Sequence, residues 1–392
     1  MSEFAFGPIA DRLAHIEPFH VMELLTRARA LETAGRSIVH MEVGEPDFPT
    51  AEPVVAAGIK ALRRGDTFYT PAAGLPALRE ALSDYYRREY GVTVDPSRIF
   101  VTPGASGALL LALALLVDPG AEVLVPDPGY PCNRHFVRLL NGQPVALPVE
   151  PEHNYQPSAE QLLRHWGART AAAMLASPAN PTGTLLSADE LAALAAAAKS
   201  RRGQLIVDEI YHGLTYGVRA ATAAELDVFV VNSFSKYFGM TGWRLGWLVV
   251  PEGYQRAAEK VAQNVFIAAS TPAQHAALAC FTPEAKAIFE QRRQAFEERR
   301  NFLLPALRAL GFDIPGRPDG AFYLYADCSA LTDDSFAFAM ELLERGGVAV
   351  TPGRDFGSRR PERFLRFAYT TSLPQLQEGV RRLAAFLGKP AP

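Results

Sequence analysis

From about residue 98, short apolar runs alternate with helical segments, and this alternation is the feature that most constrains the fold. The predicted strands lie at 98–102, 122–125, 171–176, 204–207, 228–231 and 245–250. Between them, helices are predicted at 105–116 and, after a capping box at Ser187, from 188 to about 199. Continuously apolar strands separated by helices form a mostly parallel sheet covered on both faces, and ligands bind beyond the carboxyl ends of its strands. The sequence therefore predicts an α/β protein whose site lies at that edge of the sheet.

The pattern changes after residue 284. A long charged helix is predicted at 284–310, followed by strands at 321–326, 348–350 and 364–369. We therefore expect two domains. A large domain would span 49–284, and a smaller α+β domain would combine 1–48 with 285–392.

Composition excludes several classes of function. Lys and Arg total 39 against 42 Asp and Glu, so the net charge of −3 gives no field that would favour nucleic acid or an anionic membrane. The three cysteines lack paired spacing, which excludes a disulfide framework and indicates a reducing compartment. No targeting segment opens the chain, and the longest apolar run, 107–117, falls short of the roughly 20 residues that span a bilayer. We expect a cytoplasmic protein.

Two predicted strands end in loops that do not by themselves indicate which ligand binds there. Residues 102–107 form a glycine-containing turn into a helix, where free N–H groups could bind phosphate, although a tight strand–helix turn has the same pattern. Residues 177–183 place Asn180 in a rigid proline-containing loop, which an ordinary Asx turn also explains. Neither loop identifies a ligand by itself.

A third strand ends in Asp208, with Tyr211 three residues beyond it. A carboxylate that closes a buried strand is costly unless a cation pairs with it. His212 is the one imidazole nearby, so we predict no metal site and expect an organic cation as the partner, with a helix-capping role as the alternative.

The fourth strand end carries the strongest signal. Ser233 and Ser235 directly precede Lys236, and Arg244 follows eight residues later, so phosphate donors surround one amine. A lysine at the end of a buried strand can have a lowered pKa and act as nucleophile and base. An exposed surface lysine fits poorly between Phe234 and Tyr237.

Together these stretches resemble the class I/II aminotransferases, the fold-type I group of enzymes that depend on pyridoxal 5′-phosphate. The matching pieces stand in the family's order at 43–46, 69–74, 103–107, 127–131, 180–183, 208–211, 233–236 with Arg244, and 365–368. The resemblance covers nearly the whole chain. It implies an aspartate-aminotransferase-like fold and pyridoxal 5′-phosphate as the cofactor.

The resemblance also implies roles for individual residues. Lys236 would hold the cofactor as a Schiff base and then move the proton released from the substrate. Asp208 would pair with the pyridine nitrogen, Tyr211 and Asn180 would hydrogen-bond the phenolic oxygen, and Tyr130 would stack on the ring. The phosphate would be bound by Ala105, Ser106, Ser233, Ser235 and Arg244.

Substrate and partner contacts follow from the same resemblance. Arg366 would grip the substrate α-carboxylate, with Asn180 and Gly44 close to it. Tyr69 would reach the phosphate of a neighbouring subunit, so the resemblance implies a homodimer with active sites at the subunit interface. The expected reaction moves the amino group of an L-amino acid to a 2-oxo acid by a ping-pong mechanism.

Two alternatives compete with this interpretation. A carbon–sulfur β-lyase, or a related α,β-eliminating enzyme or γ-synthase, shares nearly the same motifs and breaks a side-chain bond after the same deprotonation. A transcription regulator that uses an aminotransferase-like domain as a sensor would need an N-terminal winged helix domain, for which the stretch before Val43 is too short. The charge balance also disfavours DNA binding.

The sequence does not identify the amino donor. Arg134 is a candidate second cation for a dicarboxylate substrate, although a surface position is the other interpretation. The segment 16–19 and the stretch around Phe322 are candidates for the pocket wall, where Phe19, Phe322 and Tyr325 would favour an apolar or aromatic side chain.

Overall fold

A computed structural model of the chain describes residues 9–18 and 20–392. The helices are α1 His20–Thr33, α2 Glu52–Arg64, α3 Pro76–Tyr90, α4 Gly104–Leu116, α5 Cys132–Leu139, α6 Ala159–His165, α7 Ala188–Ser200, α8 Gln255–Val265, α9 Thr271–Ala277, α10 Pro283–Ala309, α11 Ser335–Glu341 and α12 Leu373–Leu387. The strands are β1 Val39–His40, β2 Ile99–Thr102, β3 Glu122–Asp127, β4 Gln143–Pro148, β5 Thr170–Ala176, β6 Gln204–Asp208, β7 Phe229–Ser233, β8 Gly246–Val249, β9 Tyr323–Asp327, β10 Val348–Ala349, β11 Thr351–Pro352 and β12 Phe364–Ala368.

The largest sheet has seven strands in the order β2-β8-β7-β6-β5-β3-β4. β8 runs antiparallel to β2 and β7, and the other neighbours are parallel. The predicted mostly parallel sheet is confirmed. Every residue of β2, β7 and β8 is buried, as expected for strands covered on both faces.

Local sequence signals placed two helices close to their observed bounds. Ser187 caps α7 by accepting the N–H of Glu190, while the Glu190 side chain accepts the N–H of Ser187, so the capping box is confirmed. The long predicted helix after 284 is α10, which begins one residue earlier after the cap at Thr282.

Three strands were not predicted. β4 is an edge strand with two prolines and only one fully buried residue, so it lacks the continuous apolar run that marks a central strand. β1 and β11 contain two residues each, and their pairing depends on distant strands. Such short strands carry no periodicity that a sequence can reveal.

The remaining strands form two small sheets. β11, β12 and β9 make an antiparallel sheet, and β1 pairs in parallel with β10. The second pairing joins 39–40 to 348–349, two parts of the chain that the sequence analysis assigned to the smaller domain. The boundaries of that division stay a prediction.

Three large apolar clusters stabilise the molecule. Two cover the opposite faces of the seven-stranded sheet, one with α3 and α7 and the other with α4 and α8, and the third packs α10 and α12 on the three-stranded sheet. All three cysteines are free thiols. Within 9–18 and 20–392, no helix combines the length and apolar character needed to cross a membrane.

Candidate active site

A cavity of about 360 Å³ lies beyond the carboxyl ends of β5, β6 and β7. It brings together most of the residues singled out in the sequence, although they span more than 300 positions. The predicted site residues that line it are Gly44, Ala105, Ser106, Tyr130, Asn180, Asp208, Tyr211, Ser235, Lys236, Arg244 and Arg366. We call the part of this lining that stands at or after the ends of β2, β6 and β7 the strand-end floor. It includes Ala105, Asp208, Ser235, Lys236 and Arg244.

One end of the floor is a compact anion cradle. Ala105 and Ser106 stand in the first turn of α4, where backbone N–H groups have no partner within the helix. Gly104 adopts a φ of +72°, and a Cβ there would come within 2.7 Å of the Arg244 guanidinium. Because Gly104 has no side chain, the Arg244 guanidinium can lie close to the backbone at the start of α4.

The two serines before Lys236 occupy different layers. Ser235 lines the cavity, whereas Ser233 is buried and does not belong to the lining. The Ser233 Oγ lies 2.9 Å from the Ser235 Oγ and accepts the Ser235 N–H at 3.0 Å. This contact orients Ser235, and direct phosphate binding by Ser233 stays a prediction.

Lys236 is half-buried in the floor. Its Nζ donates a hydrogen bond of 2.8 Å to the carbonyl oxygen of Gly44, which belongs to the segment after β1. Burial lowers the pKa of Lys236 to about 8, against an opposing effect of Glu45. A Cβ at Gly44 would lie 1.8 Å from the Tyr323 Oη, so only glycine fits beside the lysine.

Asp208 and Glu209 are adjacent buried carboxylates with different surroundings. Asp208 lines the cavity and accepts the Ile210 N–H at 3.0 Å. Burial raises its pKa to about 7, while that hydrogen bond and the Lys236 charge oppose the rise. Glu209 does not line the cavity; it accepts hydrogen bonds from Thr222 and Ala223, and burial raises its pKa to about 8. Only Asp208 is available to a ligand in the cavity.

Arg366, on β12, is held from several sides. It donates to the Asn180 Oδ1 at 3.0 Å and to the Glu42 carbonyl oxygen at 2.5 Å. Its guanidinium also stacks between the rings of Tyr323 and Phe356, at 4.3 and 4.8 Å from the ring centres. The Nε of Arg366 is buried without a hydrogen-bond partner among the described residues, which leaves a donor for a bound anion.

Aromatic side chains complete the polar part of the cavity. Tyr211 and Tyr323 share a hydrogen bond of 3.0 Å between their hydroxyls. The Tyr130 hydroxyl accepts a hydrogen bond from the Cys132 thiol, and its ring lines the cavity. Burial raises the pKa of both Tyr130 and Tyr211, so each phenol is neutral near pH 7.

Several predicted residues lie elsewhere. Tyr69 is 81% exposed and is not part of this lining. Phe322 and Tyr325 do not line the cavity either, because both pack in apolar clusters behind it, so their predicted place in the pocket wall was wrong. Arg134 donates to the Asp355 carbonyl oxygen and lines a neighbouring cavity. Phe19 lies outside the described residues.

Another part of the lining was missed at the sequence level. Val21, Met22 and Leu25 project from α1 into the cavity, and we call these three side chains the α1 wall. Asp355 holds the start of α1 by accepting the N–H groups of His20 at 2.9 Å and Val21 at 2.8 Å. The sequence did contain a signal for these residues, because α1 has apolar side chains beside those that form its buried face.

Other lining residues hold Arg366 in place. Glu42 and Thr351 contact it through a carbonyl oxygen and a hydroxyl, and Tyr323 supplies one of its stacking rings. Glu42 and Thr351 were missed at the sequence level, whereas Tyr323 belongs to the predicted stretch around Phe322.

Comparison with known proteins agrees with this geometry. The family model described as aminotransferase class I and II matches residues 36–383. The valine–pyruvate aminotransferase of Mycobacterium tuberculosis is 39% identical, over 97% of this chain and 99% of that protein. The aspartate/prephenate aminotransferase of Thermus thermophilus is 36% identical, over 97% and 99%.

Solved structures give the same result. The crystal structure of an aminotransferase from Mycobacterium tuberculosis superposes with a TM-score of 0.93 at 38% identity, covering 98% of this chain and 100% of that one. The predicted fold is therefore confirmed, and the names of the relatives do not favour the eliminating enzyme. The chain belongs to the class I and II aminotransferases and is an aminotransferase.

Proposed function

We propose that this aminotransferase uses pyridoxal 5′-phosphate, attached to Lys236, to move the amino group of an L-amino acid to a 2-oxo acid. The observation that carries the proposal is the half-buried Lys236 amine, with its lowered pKa, in one cavity with Asp208 and an anion cradle. A neutral amine can attack an aldehyde, whereas an ammonium group cannot. When bound, the cofactor supplies an electron sink that makes the Cα–H bond of an amino acid labile.

The donor set fits the cofactor's phosphate. Two N–H groups at the start of α4, the Ser235 hydroxyl and the Arg244 guanidinium can share its charge. The close approach of Gly104 to Arg244 leaves these donors on one small surface. A phosphate group is the kind of anion that such a cradle binds.

The donor set also fits the cofactor's ring. The Asp208 carboxylate can pair with a protonated ring nitrogen, and this positive charge would favour ionisation of Asp208 despite its burial. Asn180 and Tyr211 offer polar groups to the ring's phenolic oxygen, and Tyr130 offers an aromatic face. These roles are proposals that follow from the chemistry of each side chain.

Arg366 and Lys236 divide the work on the substrate. The Arg366 guanidinium would bind the α-carboxylate and so fix the amino acid's orientation. Lys236, once its amine is free, would take the proton from the substrate Cα. In the second half-reaction it would return a proton to the Cα of the new amino acid. Gly44, whose carbonyl already accepts from Lys236, would stay close to both groups.

Covalent capture tests the attachment point. Pyridoxal 5′-phosphate is added to the purified chain, borohydride is added, and the peptides are mapped by mass spectrometry. We expect the cofactor's mass on the peptide that contains Lys236 and its loss there in Lys236→Ala. Incubation with an effective amino donor before reduction should prevent the labelling, because transamination leaves the cofactor in its amine form. Labelling confined to other lysines would contradict the proposal.

The eliminating enzyme remains the alternative to test. The names of the relatives favour transamination. A lyase acting on cysteine conjugates releases pyruvate without any acceptor, whereas an aminotransferase forms a new amino acid only when a 2-oxo acid is present. Pyruvate formation that needs no acceptor would support the alternative.

We also propose that the enzyme is a homodimer. Phe68 and Tyr69 are 84% and 81% exposed, which is unusual for large aromatic side chains and marks an interaction surface. The exposed apolar residues Ile59 and Leu62 lie on α2, which packs on α9, and Thr271 of α9 donates to the Phe68 carbonyl oxygen. The exposed residues of α2 are therefore connected, through α9, to the segment that contains Tyr69.

Subunit mixing tests whether Tyr69 acts in the neighbouring site. Lys236→Ala and Tyr69→Ala are each prepared as pure proteins and then refolded together. If Tyr69 serves the partner's site, the hybrid dimer contains one complete site, and activity rises well above that of both parents. If Tyr69 serves its own site, mixing restores nothing. Sedimentation then reports whether the chain dimerises at all.

We propose a cytoplasmic location for the enzyme. The support is the composition: three cysteines without paired spacing, all of them free thiols in the structure. Fractionation of the source cells, followed by immunoblotting, tests this assignment.

A further inference from the structure

The α1 wall is an apolar surface that the fold leaves open to the cavity. Leu24, Ala28 and Leu31 form the buried face of α1 and pack in a cluster with residues such as Ile38. The α1 wall lies on a second face, where Val21 and Leu25 are half-buried and Met22 is 54% exposed. Apolar side chains that remain open inside a cavity favour an apolar ligand group.

Other elements extend this apolar surface. Leu109 from α4 and Phe356 from the segment after β11 line the same cavity, and so does Ile210 beyond β6. The apolar residues of this cavity therefore come from several elements. A substrate side chain that enters this region exchanges water for hydrocarbon contacts.

This chain by itself contributes no spare cation to the cavity. Its described lining contains three basic side chains, Lys236, Arg244 and Arg366. The proposed function assigns them to the cofactor's attachment, its phosphate and the substrate α-carboxylate. A second substrate carboxylate would therefore find no counter-charge among the residues of this chain, which makes its burial against this lining unfavourable.

Asp355 adds a negative charge on this side. It is 2% exposed, lines the cavity, and accepts hydrogen bonds from the first N–H groups of α1. Its carboxylate fixes the helix that carries the α1 wall and would repel an acidic substrate side chain. Arg134, the candidate second cation, donates to the Asp355 backbone and does not line the cavity.

We propose that the α1 wall is the side-chain subsite and that it selects amino donors with uncharged, apolar side chains over aspartate and glutamate. This inference rests on the proposed function, because it uses the assignment of Lys236, Arg244 and Arg366. Asp355 acts as a positioning residue for the wall.

Matched pairs of ligands provide the test. Leucine and aspartate differ mainly in an isopropyl group against a carboxylate, and 4-methylpentanoate and succinate are their counterparts without the amine. With the cofactor-loaded enzyme, we expect kcat/KM for leucine to exceed that for aspartate by at least about tenfold. Calorimetry should show 4-methylpentanoate binding more tightly than succinate by a similar factor.

The outcomes separate the two proposals. A preference for aspartate and for succinate would overturn the subsite inference and leave the aminotransferase mechanism intact. Failure of every amino acid to react, in an enzyme that holds the cofactor on Lys236, would overturn the proposed reaction, and the calorimetric ratio would still decide the subsite. Absence of binding by both carboxylates would overturn the subsite inference.

Two variants locate the selectivity on α1. Met22→Arg places a cation in the α1 wall, and we expect the binding ratio of succinate to 4-methylpentanoate to rise about tenfold or more. Ala30→Arg is the matched control, because Ala30 is an exposed α1 residue outside the cavity, and it should leave the ratio unchanged. Equal thermal midpoints would establish that both variants fold. An unchanged ratio in a folded Met22→Arg variant would refute the subsite.

Discussion

At the strand-end floor of the cavity, functional groups stand in short motifs that follow single strands, whereas the α1 wall consists of ordinary apolar residues of an amphipathic helix. Asp208 is buried and Lys236 is half-buried, and desolvation shifts the pKa values of both groups toward neutrality. The residues of the α1 wall have no ionisable group and act through their shape and apolar surface. The floor is thus proposed to determine which reaction is catalysed, and the wall which substrate is accepted. Experiments that change one of them should leave the other's property intact.

Replacing Lys236 should produce the largest effect. Lys236→Ala removes both the proposed attachment amine and the proton carrier, so we expect kcat to fall by about ten-thousandfold or more with every donor. Lys199→Ala, at an exposed position of α7, is the control and should keep full activity. Steady-state kinetics with several donors would measure both. Full activity in a folded Lys236→Ala variant would refute the assignment of the floor.

The adjacent carboxylates offer a matched pair on the floor. Asp208→Asn keeps the shape but removes the charge that would hold a protonated ring nitrogen, so kcat should fall by about a hundredfold or more. Glu209→Gln lies outside the cavity and should change kcat much less. A comparison of kcat in the two variants checks this prediction, and equal losses would contradict it.

Glu209 should instead control how stability depends on pH. Burial raises its pKa from an ordinary 4.5 to about 8, so the folded chain keeps a proton that the unfolded chain loses between those pH values. Its contribution to the free energy of unfolding should therefore fall as the pH rises from about 4.5 to about 8. Urea unfolding of the wild type and Glu209→Gln across this range measures the contribution by difference. A difference that stays constant with pH would argue against the shifted pKa.

Weakening the proposed contact between Arg366 and the substrate carboxylate should lower activity less than the changes to Lys236 and Asp208, and by a similar factor for every donor. Arg366→Lys keeps a positive charge but loses the planar fork and the contacts to Asn180 and Glu42. We expect kcat/KM to fall by about ten- to a hundredfold for every donor, mainly through a higher KM. Kinetics with leucine, alanine and aspartate would check this. A loss confined to one donor would show that Arg366 contacts the side chain instead.

Neighbouring leucines of α1 sharpen the comparison further. Leu25→Ala removes part of the α1 wall, and kcat/KM for leucine should fall by about tenfold while that for aspartate changes little. Leu24→Ala creates a cavity in the buried face of α1, and we expect a loss of about 2–5 kcal/mol in stability with unchanged donor preference. Donor kinetics and urea unfolding of both variants measure the two effects. If Leu24→Ala changed the donor preference and Leu25→Ala changed only the stability, the assignment of the two faces of α1 would be wrong.

The smallest predicted effect concerns the reactivity of one amine. Because burial lowers the pKa of Lys236 to about 8, its neutral form becomes abundant near pH 8. Competitive labelling of the cofactor-free chain with acetic anhydride should therefore give a titration midpoint near 8 for the Lys236 peptide. The Lys199 peptide serves as an internal reference. A midpoint above 10 for Lys236 would show that burial does not act on this group as described.

The sequence by itself determined the parts of this protein that depend on local order along the chain. Apolar runs between helices predicted the parallel sheet, because buried strands must be apolar throughout. The family motifs predicted the lining residues of the floor, because the carboxyl ends of parallel strands meet at one edge. Ser233 and Tyr69 were identified by the same motifs, but Ser233 lies beneath the lining and Tyr69 on the surface.

Only the tertiary structure decided what faces the strand-end floor. The pairing of β1 with β10 and the two hydrogen bonds from α1 to Asp355 connect residues more than 300 positions apart. Such contacts leave no periodicity or spacing in the sequence. Phe322 and Tyr325 carry aromatic rings suited to a pocket yet pack behind it, whereas Met22 and Leu25 line it. Packing between distant segments decides which apolar side chains are buried in the core and which remain open to a ligand.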